Sequence, residues 1–257
     1  MSVIQAIILG IVQGLTEFLP VSSSGHLVLM QKFLGITDAG LTFEVLVHFG
    51  TLFAVFFVYR QEIWELIKNP FQRMTFLIIV GAIPTAFIGF AFKPYFEEIF
   101  ESLLIVGISL ILTGIILWLS DSHLGGRKTE RNTTWLDVLI IGIAQGLAIT
   151  PGISRMGLTV SAGLMRGLSR EMAAKYSFLL SIPVIFGANL LEFKDVWENG
   201  LELSGGLPYL VGALAAAVSG VFAIKIILKI LKNGSLKIFS YYVWILGTIT
   251  IIGYLFF

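Results

Sequence analysis

Cysteine is absent from this chain of 257 residues, which excludes disulfides, thiolate metal sites and a cysteine nucleophile and leaves the redox compartment open. Charge is scarce: Asp, Glu, Lys and Arg make up 13% of the residues and the net charge is +1. That balance gives no bulk electrostatic case for nucleic acid, and the basic residues lie scattered between apolar segments rather than in a patch. Also missing are a GxxxxGK[ST] phosphate loop, a nucleotide fingerprint and an HExxH helix. The apolar run from Ile4 has neither a basic n-region nor a small-residue cleavage site, so it is expected to stay in the mature protein rather than act as a signal peptide.

Apolar residues fill the chain instead. They make up 56% of it, and the mean hydropathy of +0.92 exceeds what a water-soluble surface carries, so the chain reads as a polytopic membrane protein. Six runs have spanning length: Phe43 to Tyr59, Met74 to Phe92, Ser102 to Leu119, Ala173 to Leu191, Leu207 to Leu228 and Ser240 to Phe257. The connections alternate in charge. Arg60 to Arg73 holds three basic residues, Lys93 to Glu101 is acidic, and Asp121 to Arg131 holds Arg127, Lys128 and Arg131. Glu192 to Glu202 is acidic again, and Lys225, Lys229, Lys232 and Lys237 surround the last connection. By the positive-inside rule the basic connections are cytoplasmic and the acidic ones face out. Phe43 to Tyr59 then runs inward, whereas Ala173 to Leu191, its counterpart in the second half, runs outward.

Two stretches look like copies of one another. Gly10, Gln13, Gly14 and Leu15 precede Pro20, a serine cluster and Gly25; Gly142, Gln145, Gly146 and Leu147 precede Pro151, Ser154, Arg155 and Gly157. Breakers repeated in an apolar setting are the signature of paired discontinuous helices meeting near the bilayer midplane. Each copy is followed by three spans, an odd number, which inverts a duplicated unit. The expected fold is an all-α polytopic membrane protein, one integral membrane domain with inverted repeats of approximately 1–120 and 134–257. Six spanning helices are joined by two re-entrant helix-loop-helix segments, Met1 to Thr42 dipping in from the outer face and Thr134 to Met172 from the cytoplasmic face. A two-crossing hairpin in place of either segment would leave the topology unchanged.

Polar residues inside these segments are the candidates for chemistry. Glu17 follows Gln13 by one helical turn and faces the same way. An isolated carboxylate there costs roughly 2.5–3.5 kcal/mol on the insertion scale, so it is either a proton acceptor or metal ligand in a cavity, or a boundary residue reaching the headgroups. Ser22, Ser23 and Ser24 before Gly25 and His26 make either an anion-binding helix end or ordinary N-caps. His26 is either a satisfied buried histidine or open to the roles of base, acid, nucleophile or ligand. Arg155 offers a fork suited to phosphate oxygens, or a structural partner for Glu17; both uses require the two repeats to touch. Arg166, Arg170 and Lys175 are assigned to the cytoplasmic boundary, and Glu44 and Asn189, at outer span ends, either to packing or interfacial roles or to lining an approach to the site. Asn132-Thr133-Thr134 fits a glycosylation acceptor but falls in a connection expected to be cytoplasmic.

With QGLTEFLPVSSSGHL at Gln13 to Leu27 and PGISRMGLT at Pro151 to Thr159, the chain resembles the undecaprenyl-diphosphate phosphatase family, also called bacitracin-resistance proteins, over essentially its whole length. The family's first motif, Glu or Gln, three residues, then Glu, followed by serines and histidine, is matched by Gln13, Glu17, Ser22, Ser23 and His26. Its second, approximately PGxSRSxxT, is matched by Pro151, Gly152, Ser154, Arg155 and Thr159, with Met156 where serine is common. The resemblance implies hydrolysis of a polyprenyl diphosphate to the monophosphate carrier lipid of cell-envelope glycan synthesis, and with it bacitracin resistance. It implies Glu17, Ser23, His26 and Arg155 as catalytic residues, with Ser23 as nucleophile and His26 as base favoured over attack by His26 or water. Gln13, Ser22, Ser24, Gly25, Ser154 and Thr159 would bind substrate, and Glu17 would anchor a divalent cation, Mg2+ or Ca2+. The expected location is the plasma membrane, multi-pass, with the active site facing out. The expected partners are the lipid substrate and membrane lipid, no nucleic acid, and a homodimer is left open. The alternative is a lipid-phosphate flippase using the same anion site.

Overall fold

In a computed structural model, residues 1–36, 39–100, 102–123, 125–199 and 206–256 are described. Phe257, Glu101, and residues 200–202 of the second acidic connection lie outside them, as do Thr37 and Asp38 of the first motif-bearing segment. Among the described residues the regular structure is helical, save for a single bridge between Lys128 and Leu168. The first half holds α1 (Val3–Phe18), α2 (Ser23–Phe33), α3 (Leu41–Val58), α4 (Arg60–Lys68), α5 (Arg73–Ala91), α6 (Lys93–Phe100) and α7 (Leu103–Ser120). The second holds α8 (Trp135–Leu147), α9 (Arg155–Met165), α10 (Arg170–Asn199), α11 (Gly206–Asn233) and α12 (Lys237–Phe256).

Among the described residues six helices are long and apolar enough to cross a membrane: Leu41–Val58, Arg73–Ala91, Leu103–His123, Arg170–Glu192, Gly206–Lys232 and Lys237–Phe256. They carry apolar side chains on both faces, because bilayer and protein interior alike are hydrocarbon. Phe53, Ile83, Phe87, Leu214, Phe222 and Ile249 point outward and are exposed. The chain is a multi-pass, all-helical membrane protein. The connections at Arg60 to Arg73 and Lys93 to Glu101 contain α4 and α6. In α4, Ile63 and Leu66 recur at helical spacing and pack on the core, which is enough to fold an otherwise charged connection.

The two motif-bearing segments are built alike. Ser2 caps α1 in a reciprocal capping box with Gln5, and Thr134 caps α8 in one with Asp137. The second helix of each segment, α2 and α9, is 11 residues long. α1 packs on α11 and α8 packs on α5. Matching glycines permit this approach: a Cβ on Gly10 would come within 2.2 Å of the Gly212 carbonyl oxygen, and one on Gly142 within 2.0 Å of that of Gly81. Close backbone contact through small residues is how helices gain packing where hydrophobic exclusion from water is unavailable.

The basic residues assigned to orientation also tie connections together. Buried Asp137 receives Lys128 Nζ at 2.9 Å and Arg166 Nε at 2.9 Å. Arg170 donates to the carbonyls of Leu231 and Gly234 at 3.2 and 2.9 Å, satisfying orphan acceptors at the end of α11. Deeper in the core, Phe18 packs against Phe178 with centroids 5.7 Å apart, and Phe178 against Tyr59 at 5.4 Å. This aromatic cluster anchors the end of α1 one residue beyond Glu17.

Candidate active site

α1 ends at Phe18 and the chain passes Pro20 before restarting as α2 at Ser23; α8 ends at Leu147 and the chain passes Pro151 before α9 starts at Arg155. Serine caps both restarts. Ser22 Oγ accepts from the Gly25 amide at 3.3 Å, and Ser154 Oγ from the Gly157 amide at 3.1 Å. The other first-turn amides retain the partial positive charge of a helix N-terminus, a favourable place for an anion. Ser22 has φ of +71°, in the left-handed region that non-glycine residues seldom occupy. That turn aims Ser23 back at α1.

The two breaker loops touch. Gly152 has φ of +87°, and a Cβ there would lie 2.5 Å from the Val106 carbonyl oxygen. Ser24 Oγ accepts from its amide at 3.4 Å. The Thr113 hydroxyl of α7 donates to the Gly152 carbonyl at 3.2 Å and accepts from the Ser154 amide at 3.2 Å, fixing the second loop from behind.

At this meeting point Arg155 Nη2 donates to Glu17 Oε1 at 2.5 Å, and the two side chains are only 14% and 7% exposed. Glu17 Oε2 accepts from the Ser23 hydroxyl at 2.6 Å and from Gln13 Nε2 at 3.1 Å. One carboxylate thus orients a hydroxyl and a guanidinium together. Arg155 Nη1, by contrast, is buried without a hydrogen-bond partner. Leaving such a donor unsatisfied costs about 1–3 kcal/mol, more for a charged group, so this arm is poised for an anionic acceptor.

Beside it opens a cavity of about 200 Å³. Glu17, Ser23, Ser24, Ser154 and Arg155 line it from the two motif-bearing segments, His48 from α3, Asn189 and Glu192 from α10, and Ile149, Ile153, Val184 and Ile185 are among its apolar lining. A lipid with a polar head needs that combination.

Of the residues singled out in the sequence, Glu17, Ser23, Ser24, Ser154 and Arg155 come together at the cavity. Gln13 stands behind Glu17, and Ser22 and Gly25 build the turn. His26 is placed elsewhere: Nδ1 pairs with the Ser22 carbonyl at 2.7 Å, Nε2 with the Tyr242 hydroxyl at 2.7 Å, and the ring stacks on Tyr242. The group in hydrogen-bond contact with the Ser23 hydroxyl is Glu17. Thr159 donates to the Arg155 carbonyl at 2.9 Å and pairs with the Ser177 hydroxyl at 2.5 Å, so it fixes α9 from its buried side. Met156 is buried in the core, with the Ser177 hydroxyl 3.3 Å from its sulfur. The departure from the second motif therefore falls on packing, away from the cavity.

His48 is not among the residues singled out in the sequence, and Asn189 is given packing, interfacial or approach-lining roles there, although a histidine and an asparagine within apolar spans are functional candidates by default. Glu44 does hold a structural place: it accepts from Gln31 Nε2 at 3.2 Å, and its carbonyl pairs with His48 Nδ1 at 2.8 Å.

Known proteins share this sequence over nearly its full length. The chain is 54% identical over 249 residues to the undecaprenyl-diphosphatase of Carboxydothermus hydrogenoformans, covering 96% of this chain and 95% of that one. It is 47% identical over 254 residues to the undecaprenyl-diphosphatase of Halothermothrix orenii, with 98% of each covered, and 45% identical over 271 residues to that of Alkaliphilus metalliredigens, again with 98% of each covered. The family model described as bacitracin resistance protein BacA matches residues 6–249. With that span matched and the motif residues Glu17, Ser23 and Arg155 gathered at one cavity, the chain belongs to the bacitracin resistance protein BacA family.

Proposed function

We propose that the chain hydrolyses undecaprenyl diphosphate, a polyprenyl diphosphate, to undecaprenyl monophosphate and inorganic phosphate. The observation that carries the chemistry is the Ser23–Glu17–Arg155 constellation, with a hydroxyl 2.6 Å from a carboxylate and a buried guanidinium nitrogen lacking a partner at the cavity. The relatives are named for this hydrolysis, and the flippase alternative finds no support among them.

Ser23 Oγ attacks the terminal phosphorus and gives its proton to Glu17, the group it already touches. The new O–P bond forms as the bond from that phosphorus to the bridging oxygen breaks, and the lipid monophosphate leaves with the electron pair. Water then attacks the phosphoserine, releasing inorganic phosphate and restoring the hydroxyl. Arg155 and the amides opening α2 and α9 stabilise the charge that spreads over the transferring phosphoryl group. Glu17 replaces His26 as the proton acceptor in this scheme because geometry precedes basicity in selecting a base.

A divalent cation, Mg2+ or Ca2+, fits this cavity as an ion accompanying the diphosphate. Among the described residues no group of three or more His, Cys, Asp or Glu side chains forms a cage. Magnesium favours one or two carboxylates plus phosphate oxygens and water, and Glu17 supplies a carboxylate at the cavity wall. When bound, the ion would shield phosphate charge. Phosphate release from polyprenyl diphosphate by the purified chain should fall to background in excess chelator and return with added Mg2+ or Ca2+. A rate indifferent to chelator would remove the ion from the account.

The same reading puts the active site on the outer side of the plasma membrane, serving recycling of the carrier lipid for cell-envelope glycan synthesis. Matched caps, equal α2 and α9 and exchanged packing partners support an inverted repeat. α1 and α8, with 16 and 13 residues, have lengths of only about 24 and 20 Å against a hydrocarbon core of about 30 Å, which supports re-entrant segments. Cysteines introduced into this cysteine-free chain at Asn199 and Asn233 should label from opposite faces in intact cells, Asn199 from outside. Labelling of both from one side would refute the inverted topology.

A further inference from the structure

The part of the cavity lining contributed by α3 and α10 has its own unsatisfied chemistry. Asn189, on α10, is 2% exposed, lines the cavity, and its Nδ2 has no hydrogen-bond partner. Six residues earlier Pro183 interrupts the hydrogen-bond ladder of the same helix, and Val184, Ile185, Ala188, Asn189 and Glu192 after it all line the cavity. His48 of α3 also lines the cavity. Its Nδ1 pairs with the carbonyl of Glu44 one turn earlier, which fixes the ring's orientation and commits Nδ1 as the N–H that faces the helix. Nε2 is then the nitrogen through which an imidazolium can serve a ligand. Glu192 adds a negative charge to the wall and lies within electrostatic reach of His48, as does Glu17.

Two residues with an orphaned donor therefore line one cavity from different elements, Arg155 with Nη1 from α9 and Asn189 with Nδ2 from α10. Each wants an acceptor. A diphosphate carries two clusters of acceptor oxygens, one for each donor. We propose that Asn189 and His48 form a second phosphate subsite, which holds the lipid-linked phosphate while Arg155 and Ser23 hold the terminal one. The inference rests on the reading that a diphosphate enters this cavity. Asn189 donates from Nδ2 and His48, as imidazolium, from Nε2, and the subsite retains the leaving group. It makes the cavity selective for a diphosphate over a monophosphate, and so favours exchange of product for substrate.

Calorimetric binding of inorganic diphosphate and inorganic phosphate to the full-length detergent-solubilised chain separates this subsite from the hydrolytic reading, because it requires no turnover. Wild type should bind diphosphate more tightly than phosphate. Asn189→Ala and His48→Gln should each weaken diphosphate about tenfold or more, the loss of one charge-assisted or buried hydrogen bond, while changing phosphate affinity less than about twofold. Asn189→Asp keeps the size but turns a donor into an acceptor, and should weaken diphosphate further. A correctly folded Asn189→Asp chain with wild-type diphosphate affinity overturns the subsite, as does an equal loss for both anions or a wild type that binds neither. Absence of hydrolysis with this binding pattern intact would refute the catalytic reading and leave the subsite standing.

Discussion

Replacing Arg155 with alanine should lower the rate of phosphate release by about 10³-fold or more, the scale on which a transition-state arginine acts in phosphoryl transfer. One arm of the guanidinium is held by Glu17 and the other, Nη1, has no partner. The first contact positions the group and the second is available to the phosphoryl oxygens. Arg155→Lys should recover little, because an ammonium cannot span both the carboxylate and the phosphate as a planar fork does. Removing either partner of a buried pair also destabilises a protein by about 3–5 kcal/mol, so the comparison belongs at a temperature where both variants remain folded. Recovery of most of the activity by lysine would reduce Arg155 to a neutralising charge.

Ser23→Ala tests the nucleophile. Its hydroxyl is the one group that the structure places on Glu17 Oε2 beside Gln13, and alanine leaves the carboxylate, the guanidinium and both helix ends in position. Turnover should drop by about 10³-fold or more while binding of the lipid diphosphate changes only a few-fold, the pattern of a group used in bond making rather than in uniform binding. A variant that keeps most of the wild-type rate would transfer the attack to water or to His26.

How much of this could be read in the sequence depended on the kind of signal. The spans were legible because about 20 apolar residues in a row have few other uses, and those at Phe43 and Met74 begin within two residues of α3 and α5. Contact between Glu17 and Arg155 was legible because a lone carboxylate and a lone arginine in apolar breaker segments each demand a partner. Pairing beyond that depended on backbone direction. His26 lies three residues from Ser23, yet the left-handed φ at Ser22 and the start of α2 send the serine to Glu17 and the histidine to Tyr242. Thr159 shares a motif with Arg155 but projects from α9 toward Ser177, and spacing within a motif does not separate the two faces until the helix start is known. His48 carries no signal of its own in the sequence, and Asn189 is legible there only as a residue that packs, sits at the interface or lines an approach to the site. They lie outside any motif, and only packing of α3 and α10 around the same cavity joins them.

The most direct measurement is the product balance when the purified wild-type chain in detergent is given undecaprenyl diphosphate. Equal amounts of inorganic phosphate and undecaprenyl monophosphate are expected, with loss of both in Ser23→Ala. Intact diphosphate after many equivalents of protein, or release of inorganic diphosphate with the free alcohol, would contradict attack at the terminal phosphorus and with it the proposed role of the Ser23–Glu17–Arg155 site.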